Sequence, residues 1–247
     1  MDYPLTGNAK VSGSGTIPGG RFDQVKIAGS GRIDGDVEAN SLSIAGSATA
    51  KGNININDIS IHGSSHFEKD LRSEAISVAG SAKVDGSIQA SKLSISGSFH
   101  CGNSIKGDTL TLRGYMKVAQ DVEVEEFDAN GGFSISGLLN AEQVKIKMDG
   151  TCVVKEIGGE KIHVSQRLSS KLTSWLLNIF SRFSKKKYNK MRAEIIEGDE
   201  IYLEHSHVGT VRGSNVTIGP NCVIDQVEYS DSIHVDPNAK VKNKRRL

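Results

Sequence analysis

Histidine and cysteine are the side chains in this sequence best suited to metal or proton chemistry, and they are sparse. The seven histidines are His62, His66, His100, His163, His205, His207 and His234. Only His205 and His207 form a close pair, two positions apart on an expected strand edge where alternate residues share a face. Such a pair could open a metal site or supply a general base. No third ligand is assignable, and solvated surface histidines are the simpler reading. Cys101 and Cys152 recur with the period described below, three coils and about 14 Å apart at strand spacing, which is too far for a disulfide. With Cys222 isolated, no zinc spacing exists, and all three read as small buried hydrophobes in a reducing compartment. Gly13-Ser-Gly15 and Gly29-Ser-Gly31 lack the lysine and following helix of a phosphate loop, so their Gly-Ser pairs read as corner chemistry. No catalytic residue, metal site or cofactor is expected.

The elements that hold these side chains are set by glycine. Gly29, Gly46, Gly63, Gly80, Gly97, Gly114 and Gly131 recur with a fixed period of 17, each closing a short alternating run such as Leu42-Ser-Ile-Ala. Alternation of period two marks a strand with one buried face. One period holds about three short strands and is too small for a strand-helix-strand crossover, so the chain must coil, with successive turns pairing in parallel. Like residues then stack in columns. Ile33, Ala50, Phe67, Val84, Cys101, Val118, Ile135 and Cys152 form one column that is apolar throughout. Met148 interrupts the glycine column, and Ile162 and Val164 then fall one residue late. No proline lies between Pro18 and Pro220, as an unbroken ladder requires. The expected fold is all-β: a parallel β-helix solenoid of about 17 residues per coil, interrupted by one amphipathic α-helix.

The pattern divides the chain into four parts. Residues 1–24 read as an N-terminal coil and loop, in which Gly7 to Gly13 mirrors Gly80 to Gly86 and implies a five-residue insertion around Thr16 to Arg21. Residues 25–165 form the main β-helix, 166–193 a basic helical insertion, and 194–247 further coils and a basic tail. In the insertion Leu168, Leu172, Trp175, Leu176, Ile179 and Phe183 follow steps of three and four. From Lys161 to Arg192 there are nine Lys or Arg and no acid, leaving 21 basic against 29 acidic residues elsewhere. Three uses of this helix compete: contact with an anionic membrane through Lys185, Lys186 and Lys187, packing on a side or open end of the solenoid, and docking to a partner. Nucleic acid is a poor fit, since no aromatic platform accompanies the basic residues. The tail residues Lys240, Lys242, Lys244, Arg245 and Arg246 blunt one end of the solenoid by charge, whereas Tyr3, Leu5, Ala9 and Val11 at the other end carry no such cluster and mark the easier self-association end. With no signal peptide or membrane-spanning segment visible, the expected location is cytoplasmic, with association at the inner face of the membrane open.

Runs such as Val25-Lys-Ile-Ala-Gly-Ser-Gly-Arg-Ile-Asp-Gly-Asp-Val-Glu-Ala39 and Ile76-Ser-Val-Ala-Gly-Ser-Ala-Lys-Val-Asp-Gly-Ser-Ile-Gln-Ala90 resemble the bactofilins, polymer-forming bacterial cytoskeletal proteins. The resemblance covers roughly residues 5–165 and, less closely, 195–243. It implies a right-handed β-helix, the hand usual for parallel crossovers, that polymerises end to end without nucleotide and scaffolds envelope, division or motility machinery. The implied partners are further copies of the chain, a paralogous scaffold protein or an anionic membrane. The helical insertion and second set of coils depart from the family's compact repeat domain with short disordered tails. A rival class is a hexapeptide-repeat acyltransferase or carbonic anhydrase, suggested by Ile218-Gly-Pro-Asn-Cys-Val-Ile, with His205 or His207 as base or zinc ligand. Three hexads make a coil one residue longer than the period of 17 that holds over seven glycines here.

Overall fold

A computed structural model describes residues 7–166 and 190–247 of the chain. These residues form one parallel sheet of thirteen strands coiled into a solenoid. In chain order the strands are β1 (Asn8–Ile17), β2 (Gly20–Ile33), β3 (Val37–Ala50), β4 (Ile54–Ile61), β5 (Ser64–Phe67), β6 (Leu71–Val84), β7 (Ile88–Cys101), β8 (Ile105–Val118), β9 (Val122–Gln166), β10 (Met191–Leu203), β11 (Ser206–Ile218), β12 (Val223–Val235) and β13 (Lys240–Arg246). Most of them run through a corner, so each coil has three walls. One coil shows all three: wall A at residues 42–44, wall B at 48–50 and wall C at 54–56, each with buried ends and an outward middle residue.

The glycine period of the sequence is the register of the ladder. Val25 pairs with Leu42, Leu42 with Ile59, Ile76 with Leu93 and Leu93 with Leu110. All eight residues of the apolar column from Ile33 to Cys152 are at most 2% exposed. The one-residue delay after Met148 is also present, since Ile162 and Val164 are buried and pair with Ile201 and Leu203. Later coils tighten. Met191 pairs with Ser206 and Leu203 with Ile218, two positions short of the earlier step, before Val216 with Ile233 restores it. All three cysteines are free and buried. Burial pushes the Cys101 and Cys222 thiols up to about 11 and that of Cys152 to about 12, so they stay protonated and inert near neutrality.

The first coil differs from its sequence reading. Gly13, not Gly7, takes the glycine column and pairs with Gly29, Val11 lies under Ile27, and Ile17 under Ile33. The step from Gly13 to Gly29 is therefore one residue shorter than the period, with no five-residue loop; Thr16 and Ile17 end β1, and Gly20 and Arg21 begin β2. The shift from Gly7 to Gly13 is even, so it keeps every apolar side chain inside, and alternation alone does not distinguish the two registers.

Corners carry two devices. Gly97 has φ +151, and a Cβ there would overlap the carbonyl oxygen of Gly80 one coil below. At the corner into wall C, Asp36, Asp70 and Asp121 each accept a hydrogen bond from a backbone N–H one coil on, at Asn53, Ser87 and Leu138, over 2.7–2.8 Å. The amphipathic helix expected over 166–193 falls largely outside the described residues. Its flanks are strand, because β9 runs to Gln166 and β10 begins at Met191.

Candidate self-association surfaces

A coiled parallel sheet has two ends, and each end strand turns one row of backbone N–H and C=O groups away from its neighbour. Here β1 and β13 are the end strands. Of the residues expected at the N-terminal end, Ala9 is half-buried and Val11 only 6% exposed, so both pack inward. What the end presents outward is the exposed, small and uncharged run Ser12, Gly13, Ser14, Gly15 and Thr16. Tyr3 and Leu5 lie outside the described residues, as do Leu168, Leu172, Trp175, Leu176, Ile179, Phe183, Lys185, Lys186 and Lys187. The opposite end strand is different. Lys240, Lys242, Lys244, Arg245 and Arg246 are all exposed on β13, and the core beneath thins to half-buried Ile233, Val235 and Val241.

The outer columns show why the walls do not offer the same opportunity. On wall C the register stacks Arg21, Glu38, Asn55, Arg72, Gln89, Lys106 and Glu123. Neighbours bond along the column: Arg21 to Glu38 at 2.9 Å, Arg72 to Gln89 at 2.6 and 3.1 Å, and Lys106 to Glu123 at 2.6 Å. A second alternating column, Glu197, Arg212, Glu228 and Arg245, ties β13 to the coils before it. Arg212 donates to Glu228 at 2.8 Å and to Glu197 at 3.1 Å, and Arg245 approaches Glu228 at 4.0 Å. The bonds from Arg212 and then from the Gln226 amide hold the Glu228 carboxyl below its ordinary range. The exposed pairs Arg21–Glu38 and Lys106–Glu123 contribute little stability singly. Their order matters more, because stacked like charges would repel at every coil.

Wall B carries the column Arg32, Thr49, His66, Lys83, His100 and Lys117. Asp85 binds both His66 and Lys83 at 2.7 Å, and these bonds, that of Lys83 first, hold its carboxyl low. The histidines stand out singly in the sequence and this column does not, although the spacing of His66, Lys83, His100 and Lys117 follows the glycine period.

His205 and His207 do not form a joint site. His205 sits in the turn between β10 and β11 with φ +49, its Nε2 3.5 Å from the Asn221 amide, whereas His207 points outward from β11. The turn breaks the alternation that would have put both on one face. No group of three His, Cys, Asp or Glu is arranged to hold a metal among the described residues. Nor is any helix there long and apolar enough to cross a membrane.

The described residues thus define a parallel β-solenoid built from one continuous ladder. Comparison with known sequences agrees. Residues 4–89 match the family model "Bactofilin: Polymer-forming cytoskeletal". The Bacillus subtilis protein YhbE, described as uncharacterized, is 57% identical over 238 residues, covering 96% of this chain and 97% of its own length. A second uncharacterized B. subtilis protein, YhbF, is 38% identical over 112 residues, 45% of this chain and 42% of that protein. The bifunctional protein GlmU of Pseudoalteromonas atlantica is 42% identical over 52 residues, which is 20% of this chain and 12% of that protein. No solved structure matches. The chain belongs to the bactofilin family.

Proposed function

We propose that this chain is a non-enzymatic scaffold subunit that self-associates through the β1 end of its solenoid and positions other machinery along the resulting rod. The contrast between the two end strands carries this reading. Within β1 the sole charged side chain is that of Lys10, while β13 holds five cations in seven residues. Two β1 edges meeting end to end bring backbone donors to acceptors with little repulsion, whereas two β13 edges oppose one cluster of cations with another. Growth beyond a pair therefore depends on screening at β13, and assemblies should lengthen with salt. Negative-stain microscopy and sedimentation across salt concentrations test this. Wild-type protein should pair at low salt and lengthen at high salt, and the double variant Ser12→Lys/Ser14→Lys should stay monomeric at low salt. Wild-type behaviour in that variant, or no assembly of the wild type under any condition, would remove the proposal.

The family membership and the similarity to both YhbE and YhbF support a second copy or a paralogous scaffold as partner. A membrane surface is the further partner we propose, supported by the nine cations and absence of acids between Lys161 and Arg192. Intact protein should co-sediment with vesicles rich in phosphatidylglycerol, and replacing Trp175, Ile179 and Phe183 by Ser should weaken this tenfold or more. Equal co-sedimentation of both proteins, or none of the wild type, would dismiss the membrane role.

A further inference from the structure

The back half of wall A carries a feature that self-association does not use. Its outward column runs His163, Tyr202, Thr217, His234. The His163 and Tyr202 rings stack at 4.7 Å between centroids and 10° between planes, the ladder spacing itself. The Tyr202 hydroxyl donates to Glu204 at 2.6 Å, which fixes the ring across the wall. Beneath its free face the next coil places Thr217, with Asn215 also lining the groove; a Cβ on Gly219 would lie 3.4 Å from the Tyr202 oxygen. The next ring in the column is that of His234, two coils and about 9.6 Å from Tyr202. Between them is a slot the height of one inserted ring.

The slot opens into a groove of about 700 Å³ lined by Lys145, Lys147 and Lys161, a size typical of small-ligand sites. Lys145 and Lys147 make no ion pair with the described residues, and Lys161 has only Glu200 at 4.0 Å. The acid-free stretch from Lys161 to Arg192 supplies no carboxylate, and Asp128 in the same groove is taken by Arg113 at 3.0 Å. An excess of cations thus borders the aromatic slot on a body that is otherwise acidic. Both Glu204 carboxylate oxygens are already engaged, one by the Tyr202 hydroxyl at 2.6 Å and the other by the Gln166 N–H at 3.2 Å. The hydrogen bond to Glu204 first, and then burial, push the Tyr202 hydroxyl up to about 12.

We infer that this groove binds a nucleobase joined to phosphate, with the base stacked on Tyr202 over Thr217 and the phosphates held by Lys161, Lys145 and Lys147. Stacking tolerates any flat base, and lysines bind phosphate as point charges. A free nucleotide and a single strand share this chemistry.

Equilibrium dialysis of the full chain at low salt separates the cases, using ATP, inorganic tripolyphosphate and an eight-nucleotide oligoadenylate. ATP should bind at least tenfold more tightly than tripolyphosphate. Thr217→Trp, which fills the slot from an outward position on the wall, should erase that advantage while leaving tripolyphosphate binding unchanged, and Lys145→Gln/Lys161→Gln should weaken both. Oligoadenylate binding more tightly than ATP would identify a strand as the source, and weaker binding a free nucleotide. Equal binding of ATP and tripolyphosphate, unchanged ATP binding by Thr217→Trp, or no ATP binding at millimolar concentration would overturn the inference. Because the Ser12 and Ser14 variants lie at the other end of the rod, failure here and failure of self-association are separately visible.

Discussion

Val84→Asp should unfold the middle of the solenoid. Val84 is 0% exposed, stacked between Phe67 and Cys101 in the continuous apolar column. An aspartate there meets no charged partner in that column. It must either bury an uncompensated charge, at about 3–5 kcal/mol, or take up a proton and remain poorly hydrogen-bonded. Each coil touches only its neighbours, so the loss is local at first and spreads by withdrawing support from adjacent turns. Thermal unfolding followed by circular dichroism should show a lower or split transition, and hydrogen exchange should show the lost protection centred on β5, β6 and β7. The same melting curve as the wild type would show that the column is not the core.

The second large effect is expected at a corner. Gly97→Val places a branched side chain at φ +151, where its Cβ overlaps the Gly80 carbonyl oxygen. The obstacle is backbone on the neighbouring coil, so relief requires the two coils to part and lose hydrogen bonds on both sides. Overpacking a well-fitted interior costs about 1–3 kcal/mol, and the unfavourable φ adds to it. Gly7→Ala is the control for backbone conformation alone, since Gly7 also has a left-handed φ, +74, but no atom lies within 4 Å of the added Cβ. Gly97→Val should melt well below both the wild type and Gly7→Ala. If the two melted together, the tight coil-to-coil approach at the glycine column would be refuted.

These two sites show what sequence reading can reach. Val84 and Gly97 are both legible because in-register coils repeat one environment at every turn, and a residue type that recurs with the period reports the demand of that environment. The wall B column is equally available in His66, Lys83, His100 and Lys117. The first coil escapes such reading because Gly7 and Gly13 are separated by an even step, and inward-outward alternation is blind to it. His205 and His207 mislead for the converse reason: a left-handed residue at His205 ends the alternation that their spacing assumes.

The parallel coil, its period, the inward column and the glycine corners are written in the order of residue types, because each follows from steric and hydrophobic demands repeated at every turn. Which outward side chains meet is set by the register of the folded coils. His163 and Tyr202 lie far apart in the chain and become ladder neighbours because β9 and β10 pair directly. Likewise, Arg212 comes to lie between Glu197 and Glu228 through coil steps of 15 and then 16, both shorter than the glycine period. Solvent-facing positions tolerate many residue types, so their chemistry follows the period only in places. Their neighbours are set by the local length of each coil, which corners and insertions change one residue at a time.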